Sequence, residues 1–275
     1  MDLTSSTRPN QGREALRAVA YAAEVVLNHM LGDRRSVIDP ACEIWTAASA
    51  ERMRSAIEDT PDTGTRPFFD KLQEQLAEAP REVVLLAAEA IYLRGVPLSN
   101  ISPAKKREHV QTVLCWLREV PSIPEAMERG MHSGGSFNGG IGFNHQIWQQ
   151  VPWIARFAVR WLALSQDQRK EAQRDPWVFR AVVLDDSNDL PAMRNAFLFM
   201  AFPAVFESVV NDDHKLQIRD AFALLIGGAT GAAREAIDRD LLAIRARLEE
   251  GLEAHGISGR GRGSRRPATR SIRSR

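Results

Sequence analysis

Glu207, Asp213 and Lys215 are the residues whose types come nearest to a reactive set. A carboxylate followed by an Asp-x-Lys pair can hold a divalent metal and activate water. That chemistry needs the three groups on neighbouring strand positions. Here Asp212-Asp213-His214-Lys215 opens a stretch carrying Leu216, Ile218, Phe222 and Leu225, which reads as the apolar side of a helix. Asn211 or Asp212 is then its N-cap, and the acids favour the positive end of the helix dipole. Nuclease chemistry is not expected.

The glycine-rich stretch GMHSGGSFNGGIGFN, from Gly130 to Asn144, is the densest loop signal. A phosphate cradle needs a preceding strand and a following lysine–hydroxyl pair, and no G-x-x-x-x-G-K-[ST] occurs. A nucleophile elbow would read G-x-S-x-G; Gly134-Gly135-Ser136-Phe137-Asn138 breaks that pattern at its last position. The stretch reads as a connection between helices. If it contacts a ligand or partner, Phe137, Asn138, Phe143 and His145 supply the contacts.

The histidines give no metal set: His109, His132, His145 and His214 lie in different segments without an i+4 partner. Asp185-Asp186-Ser187-Asn188-Asp189 lacks the spacing and central glycine of a calcium loop and reads as a solvated turn. Trp148, Trp153 and Trp161, at spacings of five and eight, read as packing anchors rather than a base-stacking platform. No catalytic residue, metal ligand or cofactor site is therefore expected.

Those groups must be positioned by helices. Leu16, Val19, Ala23, Val26, Leu27 and Met30 recur at three- and four-residue steps, giving the apolar stripe of a first helix. Glu43–Glu58 reads as a second helix, and Phe68, Phe69, Leu72 and Leu76 mark a third. Pro80 opens a fourth, REVVLLAAEAIYLR, which should stop at Gly95 in a left-handed conformation. Ser102-Pro103 and Asp175-Pro176 each pair a capping side chain with a proline at the first helical position. Val110, Val113, Leu114 and Leu117 continue the core. Asn144 should cap the helix HQIWQQVPWIARFAVRWLAL, with Pro152 inside it removing a backbone donor. Pro191 opens a phenylalanine-rich helix, and Ile237, Leu241, Ile244 and Leu248 stripe the last. No convincing strand appears; AVVL at 181–184 and RSVI at 35–38 are short enough to be helix ends or lone extended pieces. The pattern predicts an all-α domain of about ten helices over residues 10–255, behind a flexible N-terminus at 1–9. Residues 60–66 are turn-rich and could join two subdomains.

Composition fits that reading: 275 residues, 44% hydrophobic and 26% charged, enough for a buried core. Cys42 and Cys115 are far apart; Cys115, within the apolar VLCWL, should be a buried free thiol in a reducing cytoplasm. The longest apolar run, Ala196 to Phe206, is shorter than the ~20 residues a bilayer requires, so no membrane association is expected. Residues 256–275 carry Arg260, Arg262, Arg265, Arg266, Arg270, Arg273 and Arg275 and no acid. Taking those seven charges from the net +1 leaves −6 for residues 1–255. The tail reads as disordered and able to bind nucleic acid weakly and without specificity, through phosphate contacts sensitive to salt.

Several segments, in order, resemble the helical N-terminal region of McrB-like AAA+ ATPases, the motor subunits of modification-dependent restriction and phage-defence systems. They are PFFDKLQEQL with REVVLLAAEAIYL, ISPAKKREHVQTVLCWL, DPWVFRAVV, FPAVFESVVNDDHK and DRDLLAIRARLE. Together they cover roughly Trp45 to Leu248. Phe202-Pro203 with Phe206-Glu207 and His214-Lys215 is the most distinctive part. The resemblance implies a recognition or assembly module that works with an AAA+ motor or nuclease subunit. It does not extend to NTP hydrolysis, because Walker A, Walker B and sensor-1 elements have no counterpart here. The arginine tail would then be a polyanion-binding segment or the out-of-frame end of a truncated motor subunit. A standalone helical protein–protein adaptor is the alternative, and an enzyme with an unrecognised site is a third reading.

Overall fold

The most deeply buried helix of the structure, a computed structural model describing residues 9–59, 64–184 and 190–254, carries charge on its inside. In this helix, α4 (Arg81–Gly95), every residue from Val83 to Gly95 is buried. Val83, Leu85, Leu86, Ile91 and Leu93 point in all directions, so the helix has no solvent side, and a helix apolar all round must be surrounded. Around it pack α1 (Pro9–Asn28), α2 (Ala47–Glu58), α5 (Pro103–Leu114) and α8 (Ile147–Ala163). All four were expected as helices, α2 starting at Ala47 rather than Glu43. α3 (Phe68–Gln75) leans on α2 and α5, and α6 (Glu125–Met131) on α1 and α5. The glycine-rich stretch contains a short helix, α7 (Gly140–His145). Next come α9 (Gln166–Arg174), α10 (Pro176–Val183) and α11 (Pro191–Ala201), the last packed on α1. The chain then runs through α12 (Asp212–Phe222), a 3-10 turn at Ala223–Ile226 and α13 (Arg234–Ala254). Thirteen α-helices and no strand occur among the described residues; the fold is all-α.

The expected caps form. Ser102 accepts from the Lys105 amide (3.2 Å), Asp175 from the Trp177 amide (2.8 Å) and Asn211 from the His214 amide (2.9 Å). Each satisfies an amide that the first helical turn leaves without a partner. Ser165 and Gln168 add a reciprocal capping box at α9.

One apolar core extends from Val19 to Phe206, drawing residues from both sides of the 60–66 segment. Its centre is aromatic. Phe157 lies 4.7 Å from Phe197 and 5.8 Å from Phe179, between ring centroids, with Trp153 and Trp161 on the same helix at 6.4 and 6.2 Å. These tryptophans are the packing anchors expected of them, whereas Trp148 is exposed.

Several local expectations are corrected. Gly95 ends α4, yet it is absent from the positive-φ glycines, because the chain continues through Val96 in a right-handed conformation. Asn144 does not cap α8; Gln146 precedes that helix, and the Asn144 side chain accepts from buried Arg94 instead. Cys115 is exposed, because α5 ends at Leu114 and the thiol falls just outside the packed turn. Other local readings stand: the stretch 181–184 is a helix end, completing α10, and 35–38 is extended only at an isolated bridge between Arg35 and Glu43.

Candidate functional site

Two regions gather polar side chains, and both involve segments singled out by sequence. The first is the glycine-rich stretch. It is exposed in part: Gly130 and Met131, at the end of α6, and Phe143 are buried, while His132, Gly134, Asn138 and residues 140–142 are exposed. Ser136 and Phe137 amides donate to the Pro97 carbonyl (2.7 and 3.2 Å), and the Ser99 amide donates to the Phe137 carbonyl (2.8 Å). Gly135, at φ 77°, lies so close to the Leu98–Ser99 backbone that a Cβ would overlap it. Of the four expected contact residues, Phe143 is packed inward, with Phe137 meeting its ring edge-on at 5.2 Å. Asn138 and His145 are exposed, and Asn138 accepts from the Gly140 amide at 2.9 Å. Phe143 is thus a packing group, turned by α7 toward Arg94 of α4, and Phe137 packs on its ring.

Beneath α7 lies Arg94 of α4. Its guanidinium is held by neutral groups: Gln150 Oε1 (2.8 Å), Asn144 Oδ1 (3.0 Å) and the face of Phe143. Burial pulls its pKa down to about 10. One turn into α5, Lys106 is also buried; it donates to the Val96 carbonyl at 2.9 Å, and burial lowers it to about 8. His109, packed 4.9 Å from the Phe69 ring, is brought down to about 4, first by burial and then by the Lys105 and Arg94 charges. The folded state therefore binds fewer protons at His109 than the unfolded chain, whose imidazole titrates near 6.5. Stability should fall as pH drops through that interval and be fully present above it. Histidine NMR should give a midpoint near 4 for His109; a midpoint near the unfolded value would place the ring in water.

The second region is built on the segment around Asp212-Asp213-His214-Lys215. The expected arrangement is inverted. Lys215 and Arg219 face inward, 3% and 4% exposed, while Ile218 and Phe222 are 38% and 43% exposed. The cations turn in because α13 brings carboxylates to them. Lys215 Nζ donates to Asp238 (2.7 Å) and to Asn195 Oδ1 (3.0 Å), and Arg219 donates to Asp240 (3.1 Å). Arg180 completes Asp238 from the other side at 2.9 Å. Arg194 grips both oxygens of Asp212 (3.0 and 2.8 Å), and Asn195 Nδ2 donates to the same carboxylate at 2.7 Å. Burial alone would raise Asp212, but hydrogen bonds from Asn195 and Arg194 and the neighbouring positive charges outweigh it, so it stays below the usual carboxylate range.

Glu207, Asp213 and Lys215 are not brought together as a reactive set. Asp213 and His214 are exposed. Glu207 is pushed upward by burial, partly opposed by Arg245, which lies 3.1 Å away, and by Lys215. No group of three or more metal-ligating side chains occurs among the described residues. Two open grooves lie elsewhere. One of about 540 Å³ is lined by Leu76, Val84, Trp116 and Arg81, and one of about 580 Å³ by Asp167, Arg174 and Trp177. Residues 185–189 and all seven tail arginines lie outside the described residues.

The chain matches no family model, no curated protein and no solved structure. Sequence reasoning missed Arg180, Arg194, Asn195, Asp238 and Asp240, the partners that give the 212–219 cations their inward direction. The available signal was α13 itself, where Asp238 falls beside the apolar stripe residues Ile237 and Leu241 rather than on the opposite side.

Proposed function

We propose that this chain is a non-catalytic recognition or assembly module, resembling the N-terminal region of a McrB-like defence ATPase and acting beside an AAA+ motor or nuclease subunit. The observation that supports this reading is the use made of its most distinctive segment. Phe206 closes the core, and the side chains of Asp212 and Lys215 fasten α12 to α11 and to α13. These residues set the direction of α13, the helix that by resemblance precedes the linker to a motor. The arginines of residues 256–275 add weak, salt-dependent contacts to nucleic acid.

The test is twofold. Tagged full-length chain, co-expressed with an AAA+ protein encoded beside it, should co-elute with that protein. Calorimetry should detect no micromolar binding of GTP or ATP to the chain alone. Micromolar nucleotide binding would overturn the non-catalytic assignment. Failure to co-elute with the motor would remove the proposed setting and favour the standalone adaptor, a reading that draws on the exposure of Phe222, Leu224 and Leu225.

A further inference from the structure

The apolar core stops at Phe206. Beyond it, the buried apolar side chains among the described residues are Ile237, Leu241 and Ile244. α12 and α13 are joined to the body chiefly by polar contacts. Arg180 of α10 meets Asp238 of α13 (2.9 Å), Lys215 of α12 meets Asn195 of α11 (3.0 Å), and Arg194 with Asn195 holds Asp212. Arg245 of α13 reaches the Ala204 carbonyl at 2.5 Å, and Arg239 lies 3.9 Å above the Trp177 ring.

A second set of contacts lies within the pair. Lys215–Asp238, Arg219–Asp240 and Arg234–Asp212 link α12 to α13, and Thr230 donates to Asp240 from the connection between them. The pair can therefore leave the body without losing its own bonds.

The two kinds of attachment differ in strength. Apolar burial favours the closed state in proportion to area. A buried ion pair roughly breaks even, because desolvation offsets the attraction. Segments with few buried apolar contacts open at lower free energy than the core. Residues 207–211, half-buried or exposed and outside any helix, connect Phe206 to α12.

We propose that α12 and α13 form a latch that opens as one unit about residues 207–211 while α1 to α11 stay folded. Opening uncovers the guanidinium groups of Arg180 and Arg194, together with Asn195, on α10 and α11. In the closed state these groups are occupied by the latch's own Asp238 and Asp212.

Hydrogen exchange read by mass spectrometry on the full chain tests this. Peptides from α12 and α13 should exchange at a common rate, faster than peptides from α4. Arg180→Met removes body-side contacts to α13 alone, with Asp238 and Glu235, yet it should accelerate α12 and α13 together, by about a hundredfold, with α4 unchanged. Asp238→Asn should do the same, and Arg247→Ala, which breaks an exposed pair with Glu250, should change neither helix. Three results would overturn the proposal: exchange of α12 and α13 only at the α4 rate, acceleration of α13 without α12 in Arg180→Met, or acceleration of α4 in either network variant.

Discussion

Glu89→Ala is expected to destabilise the folded chain by roughly 3–5 kcal/mol, a large share of the ~5–15 kcal/mol that holds most domains. The carboxylate is fully buried in α4 and accepts from four donors: Ser36 Oγ (2.7 Å), the Val37 and Ile38 amides (2.7 and 3.3 Å) and Trp45 Nε1 (2.9 Å). It is the acceptor that closes the loop at 34–46 onto the core. Alanine removes the acceptor of the Ser36 hydroxyl, the Val37 amide and the Trp45 indole, while the Ile38 amide keeps its bond to Ser36 Oγ (3.0 Å); each buried group left unsatisfied costs about 1–3 kcal/mol.

Burial pushes the Glu89 carboxyl up, with the Ser36 and Trp45 hydrogen bonds opposing it. The folded state then holds this proton more tightly than the unfolded chain, so its contribution is fully present below the unfolded value of 4.5 and declines as pH rises toward the raised folded value. Glu89→Gln keeps one acceptor oxygen but turns an amide donor toward another donor, so its loss should be smaller than that of alanine. It should also abolish this part of the pH slope. Urea unfolding at several pH values measures both effects; an alanine variant as stable as the parent would mean the loop is not held through this residue.

Phe157→Ala should cost about 3–5 kcal/mol by a different mechanism, a cavity. The Phe157 ring has Trp153, Trp161, Phe179 and Phe197 around it, all fully buried or nearly so, and none can collapse into the space without leaving another contact. Phe222→Ala is the comparison. At 43% exposure the side chain has far less to lose, and its removal should cost well under half as much. Chemical denaturation of both variants decides the matter. Equal losses would place Phe222 in the core and contradict the inward orientation of Lys215 and Arg219.

That comparison also shows where the sequence could be read and where it could not. Stripes such as Val110, Val113 and Leu114, and caps such as Ser102-Pro103, Asp175-Pro176 and Asn211, are settled within a turn or two of chain, so local pattern finds them. α4 defeats the same reading. A helix apolar all round has no polar side against which Glu89 and Arg94 can be recognised as inward, and their partners Ser36, Trp45 and Gln150 lie 53, 44 and 56 residues away. α12 misleads it outright. Its leucine, isoleucine and phenylalanine look like a core stripe until Asp238 and Asp240 arrive from the next helix and draw the cations in. The 207–215 segment stands out in the sequence by its residue types but does not read there as a site, because the inward direction of its cations depends on groups that only tertiary contact supplies.

The packing of α1 has a consequence in time. The surfaces that cover its apolar stripe include α6, which begins at Glu125, and α11, which begins at Pro191. At a synthesis speed of about 5–20 residues per second, the stripe emerges from the ribosome on the order of ten seconds or more before α11 exists to close over it. Val19, Ala23, Val26 and Leu27 spend that interval without their final neighbours, so the open stripe of α1 is a surface that a holding chaperone would cover until α11 arrives.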